Sequence, residues 1–219
     1  MWRIRTIATL LTVLAVLGLA QTAQPKADAA YRIVVIGDSL SAGYGLPGAD
    51  AFPAKLEVAL RNRGHEVRVE NAGVSGDTTA GGRARLAWAI GNDPDAVIVE
   101  LGANDALRGL DPAKAYDNLS AMLDTLAQQN IPVLLAGMQS PPNMGEDYAR
   151  DFNAIYPRLA ESHDAILYPF FLEGVAGNPA LNQDDGIHPT ADGVDVIVSN
   201  IMPAVEELLK RAGTAKGRS

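Results

Sequence analysis

Ile33-Val34-Val35-Ile36-Gly37-Asp38-Ser39-Leu40-Ser41 is the stretch that decides the fold. Four β-branched residues in a row, with no polar residue among them, describe a strand covered on both faces, because a half-exposed strand would alternate. Gly37 ends the run, and Asp38 and Ser39 follow where the chain must turn. Further strand candidates lie at residues 67–69, 97–101, 133–136 and 165–168. Stretches of helical spacing separate them. Phe52, Leu56 and Leu60 form one stripe before Gly64, and Tyr116, Leu119, Leu123 and Leu126 form another after Pro112. The last helix is the clearest: Val194, Ile197, Val198, Ile201, Val205 and Leu208 recur at helical intervals after Thr190, with Pro203 marking a point where a bend is expected. This βαβα order predicts a parallel five-stranded sheet between two layers of helices, a three-layer α/β/α sandwich with right-handed crossovers. In such sheets ligands bind outside the carboxyl ends of the strands.

The rest of the chain fits one such domain. Its 219 residues are 47% hydrophobic and 20% charged, enough for a sizeable single core. The domain is expected over residues 31–211, followed by a small, polar, flexible tail at 212–219. Ahead of it, Arg3 and Arg5 precede an apolar stretch at residues 7–20, and Gly18-Leu19-Ala20 and Ala27-Asp28-Ala29 each offer a small-x-small cleavage pattern. Residues 1–30 therefore read as a secretory signal peptide and linker cut near Ala20 or Ala29; the apolar stretch is shorter than the roughly 20 residues that a membrane span needs. The expected location is periplasmic or secreted, without stable membrane insertion. Removing Arg3 and Arg5 lowers the basic count from 18 to 16 against 26 acidic residues, a formal charge of −10 in place of −8. Such a surface disfavours nucleic acid. The absence of Cys excludes disulfides, a thiol nucleophile and a lipid-acceptor Cys.

Candidate chemistry clusters where the sheet rule points. Ser39 places a hydroxyl just past the first strand, although Ser and Asp in that position also serve as ordinary turn or cap residues. A serine nucleophile needs a base, and the chain has three histidines. His65 belongs to a turn at the amino end of the second strand, and His163 closes a helix, where a cation suits the helix dipole. His188 differs. It lies in Gln183-Asp184-Asp185-Gly186-Ile187-His188-Pro189, where a carboxylate three residues earlier can reach the ring through a turn that glycine permits. Donors for a developing oxyanion are available after the second strand, in Asn71-Ala72-Gly73-Val74-Ser75-Gly76-Asp77, and after the third, in Gly102-Ala103-Asn104-Asp105.

Taken together, these four segments resemble the motif blocks of the SGNH, or GDSL, hydrolases, and in particular the branch that contains arylesterases and the thioesterase I/protease I/lysophospholipase L1 enzymes. The resemblance covers nearly all of residues 33–209 and is most specific in Gly37-Asp38-Ser39-Leu40-Ser41-Ala42-Gly43-Tyr44, in residues 71–78 and in Asp185-Gly186-Ile187-His188-Pro189. It implies a flavodoxin-like SGNH hydrolase fold and hydrolysis of carboxylic esters: aryl or acyl esters, acyl thioesters and lysophospholipids. By position it implies Ser39 as nucleophile, His188 as general base then acid, Asp185 as its orienting group, and an oxyanion hole of the Ser39 N–H, the Gly76 N–H and the Asn104 amide. Ala103 departs from the family, which often has a second glycine there. Loops at residues 106–111 and 138–148 resemble those flanking the acyl pocket, so Leu107, Leu110 and Met144 are the expected substrate contacts. A monomer acting on a small-molecule ester or thioester, lipids included, is expected, with no cofactor and no metal.

Two rivals fail on the residues. Gly43-Tyr44-Gly45-Leu46-Pro47-Gly48 spells a dinucleotide-binding G-x-G-x-x-G, but it begins well after the strand and contains Pro47, whereas the fingerprint must start at the strand's end and open a helix. An α/β-hydrolase elbow needs G-x-S-x-G, which Gly37-Asp38-Ser39-Leu40-Ser41 lacks. No pair of histidines has metal-ligand spacing.

Overall fold

The computed structural model describes residues 30–217. The expected signal segment lies outside these, apart from Ala30. Five strands, β1 (Tyr31–Gly37), β2 (Val67–Gly73), β3 (Ala96–Glu100), β4 (Val133–Ala136) and β5 (Ile166–Tyr168), alternate with eight α-helices: α1 (Ser39–Ala42), α2 (Phe52–Asn62), α3 (Thr79–Ile90), α4 (Ala103–Leu107), α5 (Pro112–Gln128), α6 (Glu146–Asn153), α7 (Ile155–His163) and α8 (Ala191–Ala215). The sheet is parallel throughout, in the order β2-β1-β3-β4-β5. Helices α2 and α8 cover one face, and α3, α5 and α7 the other. This is the three-layer α/β/α sandwich expected from the pattern of strands and stripes. Ile33, Val34, Val35 and Ile36 are all fully buried, as a central strand requires.

Strand order fixes where a site can form. The chain leaves β1 towards β2 on one side and later returns to β3 on the other, so the loops after β1 and β3 part at their carboxyl ends and leave a crevice. Ser39 follows β1 and Asn104 follows β3.

Several boundaries differ from the sequence reading for physical reasons. β2 continues past Val69 to Gly73, paired with β1 along its whole length. It is an edge strand, so it tolerates Arg68, Glu70 and Asn71, whose polarity hides it. Glu70 is held by Arg32 of β1 at 2.6 Å, which pulls its carboxyl below the usual range. Helix α3 shows no clear stripe, because Gly81, Gly82, Arg83 and Arg85 interrupt it, yet Gly82, Leu86 and Ile90 face the core. Helix α8 runs through Pro203 and continues past Arg211 to Ala215, with Ala212 fully buried. The helix thus extends four residues into the segment expected to be a tail. Among the described residues no helix is long and apolar enough to cross a membrane.

Candidate active site

The residues at the end of β1 cannot continue the strand. Asp38 caps α1, its Oδ1 accepting the Leu40 N–H at 3.0 Å. That cap starts a single helical turn and leaves Ser39 at its first position. Gly43 closes the turn in the left-handed region at φ 82°, where both its own N–H and that of Tyr44 reach back to the Ser39 carbonyl. Of the glycines of the G-x-G-x-x-G string, Gly43 therefore ends one short helix, and Gly48 begins only the 3-10 turn Gly48–Asp50 ahead of α2.

A second loop brings His188 to Ser39. The Gln183 N–H donates to the His188 carbonyl at 2.7 Å, and the Gly186 N–H donates to the Gln183 carbonyl at 2.8 Å, so residues 183–188 fold into a small closed loop with Gly186 at φ 71°. Inside it, Asp185 Oδ1 accepts the N–H groups of Ile187 and His188, and Oδ2 meets His188 Nδ1 at 2.6 Å. Those bonds, led by the His188 backbone N–H, lower the Asp185 carboxyl to about 2. With Nδ1 so engaged, His188 Nε2 lies 2.9 Å from Ser39 Oγ. The Tyr44 ring lies against the imidazole, with centroids 4.5 Å apart. The Gln183 side-chain amide donates to the Tyr44 carbonyl at 2.8 Å and so ties the base loop to the serine turn. The sequence reading did not single out Gln183; a polar residue just before the Asp-His segment was its only signal.

The other two histidines are elsewhere. His65 lies at the amino end of β2, 4.0 Å from Glu206, and His163 ends α7 beside Ser120 and Asp124. Among the described residues no group of three or more His, Asp or Glu is arranged to hold a metal ion.

Asn104 sits in the first turn of α4 and donates its amide to Asp38 Oδ2 at 3.0 Å. Gly102, at φ 122°, carries the unusual backbone of this segment; a Cβ there would lie 2.1 Å from the Tyr156 hydroxyl. Ala103 opens the helix in ordinary conformation, which is why alanine is accommodated in place of a second glycine. Gly76 stands at φ 81° in a turn closed by the Asp77 N–H on the Val74 carbonyl, a position that favours glycine. The Asp105 carboxylate, nearly buried, accepts both the N–H and the hydroxyl of Thr79 and so joins the Asn104 segment to the start of α3.

Beneath Ser39 lies a pair of buried carboxyls that the sequence reading missed. Glu100 ends β3 fully buried, and its Oε2 accepts the Ser41 hydroxyl at 2.6 Å. Burial, reinforced by the neighbouring Asp38, pushes the Glu100 carboxyl well above its ordinary range, against the opposing pull of the Ser41 hydroxyl and the Asp38 N–H. Burial likewise raises Asp38 to about 6, against the opposing pull of the Leu40 N–H and Asn104. Gly37 is what allows this approach: a Cβ there would come within 2.5 Å of both the Ser41 hydroxyl and the Glu100 carboxyl. The available signal was a glutamate in an otherwise apolar central strand, where no face is open to water.

Ser39, Asn104 and His188 border a cleft of about 530 Å³ whose walls include Leu40, Leu107, Met138, Phe170, Leu172 and Ile187. Of the three expected substrate contacts, Leu107 lines it. Leu110 and Met144 are not among its lining residues: the Leu110 carbonyl accepts the Tyr148 hydroxyl, and the Met144 methyl lies against Gly109. The resemblance of their loops to those flanking an acyl pocket does not by itself fix which side chains line the cleft.

Residues 35–196 match the GDSL-like Lipase/Acylhydrolase family. The chain belongs to this family. Among its relatives, Esterase TesA of Pseudomonas aeruginosa is 41% identical over 182 residues, 83% of this chain and 90% of that protein. Thioesterase 1/protease 1/lysophospholipase L1 of Escherichia coli K12 is 40% identical over 185 residues, 84% of this chain and 88% of that protein. The crystal structure of AlinE4, an SGNH-hydrolase family esterase, shares 53% identity and superposes with a TM-score of 0.68 over 82% of this chain and 97% of that one. This GDSL hydrolase is accordingly an enzyme of carboxylic ester hydrolysis, with the fold of its family.

Proposed function

We propose that the chain is an exported serine esterase and thioesterase that works through an acyl-Ser39 intermediate. The observation that carries this reading is the unbroken series Asp185 Oδ2, His188 Nδ1, His188 Nε2 and Ser39 Oγ, with contacts of 2.6 and 2.9 Å, at the edge of an apolar cleft. Ser39 Oγ attacks the substrate carbonyl while His188 Nε2 takes its proton, and Asp185 holds the Nδ1–H and favours the imidazolium. The tetrahedral oxyanion is received by the N–H groups of Ser39 and Gly76 and by the Asn104 amide. His188 then protonates the leaving alcohol or thiol as the carbon–oxygen or carbon–sulfur bond breaks. Water attacks the acyl-serine with His188 again as base, and the carboxylic acid leaves. No step needs a metal or cofactor.

The acyl chain occupies the wall formed by Leu107, Met138, Phe170 and Leu172. The names of the relatives, esterase and thioesterase/lysophospholipase, favour acyl esters and thioesters, including those of lipids. Export rests on Arg3 and Arg5 before the apolar stretch and on the two small-x-small sequences after it; the mature enzyme is then periplasmic or secreted.

The test compares purified mature protein and Ser39→Ala on p-nitrophenyl esters and acyl-CoA thioesters of increasing chain length, with no metal or nucleotide added. Turnover abolished by the substitution is expected. An equally active variant, or an inert native enzyme, overturns the mechanism.

A further inference from the structure

Helix α3 carries a side chain with no place in the chemistry above. Arg85 is largely withdrawn from solvent, its side chain 16% exposed. Its Nε donates to Asp77 Oδ2 at 2.6 Å, one terminal nitrogen to the Ala72 carbonyl at 2.6 Å and the other to the Gly37 carbonyl at 2.9 Å. These acceptors belong to three sites that matter. Gly37 ends β1 and is two residues before Ser39. Ala72 is near the end of β2, at the base of the glycine loop. Asp77 follows Gly76 directly.

We infer that Arg85 is a positioning residue for the oxyanion hole, one planar cation setting the Gly76 loop at a fixed distance from the Ser39 turn. The inference rests on the serine mechanism proposed above. A guanidinium suits this task because its donors are held in one rigid plane, so three acceptors that share it cannot drift independently. The surroundings are shaped around the contact. A Cβ on Gly81 would lie 1.8 Å from Asp77 Oδ1; a glycine inside a helix ordinarily costs about 1 kcal/mol, and here it leaves room for the carboxylate that Arg85 holds. A Cβ on Gly73 would meet the Ala42 nitrogen at 2.5 Å and the Asp38 carbonyl at 2.9 Å, so the glycine loop already abuts the serine turn. The Val74 N–H adds a bond to the Gly37 carbonyl at 3.0 Å. Arg108 reaches the Gly76 carbonyl at 2.7 Å from the α4 side, but that contact is open to solvent and contributes less.

Arg85→Ala and Arg85→Lys separate this role from a purely structural ion pair. Burst titration with a p-nitrophenyl ester counts competent sites, so turnover is expressed per folded, reactive enzyme. A trifluoromethyl ketone, which forms a hemiketal on Ser39, reports oxyanion binding. Per site, Arg85→Ala is expected to lower kcat about 10²-fold, as a small misplacement near reacting atoms does, with KM within about twofold of native. Affinity for the ketone should fall in step, and added guanidinium ion should restore part of both. Arg85→Lys keeps the charge without the fork and is expected to fall between. It also decides the matter if Arg85→Ala does not fold. A per-site kcat and ketone affinity at the native level, with only the melting temperature lowered, overturns the inference and leaves the serine mechanism standing. Failure of the native enzyme to bind the ketone covalently removes the serine mechanism, and this inference with it.

Discussion

Asp38 and Asp185 lie on opposite sides of the Ser39–His188 contact and are driven in opposite directions by their surroundings. Asp185 sits in an exposed loop and accepts two backbone N–H groups and the imidazole, which lowers it to about 2. Asp38 is buried next to a second carboxyl, Glu100, and is raised to about 6 although it also accepts hydrogen bonds. Both therefore hold an acceptor in place, by different means. The exposed one is stabilised as an anion by local donors. The buried one is fixed by packing and by the Leu40 N–H and the Asn104 amide, at the electrostatic cost of its burial. The side of the site that carries the proposed base, His188, is thus built from a short, self-closed loop, whereas the side of the proposed nucleophile, Ser39, is built from contacts between residues far apart in sequence.

On the base side the expected effects are large. His188→Ala should lower kcat about 10⁶-fold, the scale seen when one member of a serine triad is removed. Asp185→Asn should cost about 10⁴-fold through the wrong imidazole tautomer. Steady-state turnover of a p-nitrophenyl ester measures both, and an Asp185→Asn enzyme of native activity would show that the local loop orients His188 without its carboxylate.

Next come the groups proposed to receive the developing oxyanion. Asn104→Ala should lower kcat about 10²–10³-fold with little change in KM. Asp38→Ala, which removes the acceptor of the Asn104 amide, should move kcat in the same direction by a smaller factor. A double variant no slower than Asn104→Ala alone is the expected sign that the two act through one donor; additive losses would separate them.

The smallest effect on activity is expected for Glu100→Gln, because a carboxamide of the same shape keeps an acceptor for the Ser41 hydroxyl; turnover should stay within about threefold of native. Its stability profile should change. A carboxyl raised in the folded state contributes stability that is fully present below its ordinary value and lost as pH rises through the raised one. Native protein should therefore lose melting temperature as pH climbs from 4 through 6, where Asp38 ionises, and further above as Glu100 is forced to ionise. Asp185 acts with the opposite sign: its contribution is present above 3.8 and lost as pH falls through about 2. Melting curves of native and Glu100→Gln protein between pH 4 and 9 check this: the variant should keep the loss up to pH 6 that Asp38 causes and lack the further loss above it, and a native slope above pH 6 in the variant would place that titration elsewhere.

How much was legible in the sequence follows the same division. The base loop was readable because its elements lie within a few residues: the Asp185–His188 spacing and Gly186 specify a closed turn whatever surrounds them. The central strands were readable from β-branched runs, and α2, α5 and α8 from their stripes. β2 beyond Val69 and α3 were not, because an edge strand carries polar residues and a glycine-containing helix lacks a stripe. Leu107, Leu110 and Met144 were expected at the acyl pocket from the resemblance of their loops; of these Leu107 lines the cleft, with Met138, Phe170 and Leu172.

By itself, the sequence determined the parallel α/β/α architecture and the residue types that the chemistry requires, since hydrophobic period and glycine-permitted turns are local properties of the chain. Only the tertiary structure decided which polar groups meet across the sheet: Glu100 with Ser41, Asp38 with Asn104, and Arg85 with Gly37, Ala72 and Asp77. Apart from Arg85 with Asp77, these partners are separated by 13 to 66 residues, so the contacts exist only once the strands are assembled, and burial gives them their strength.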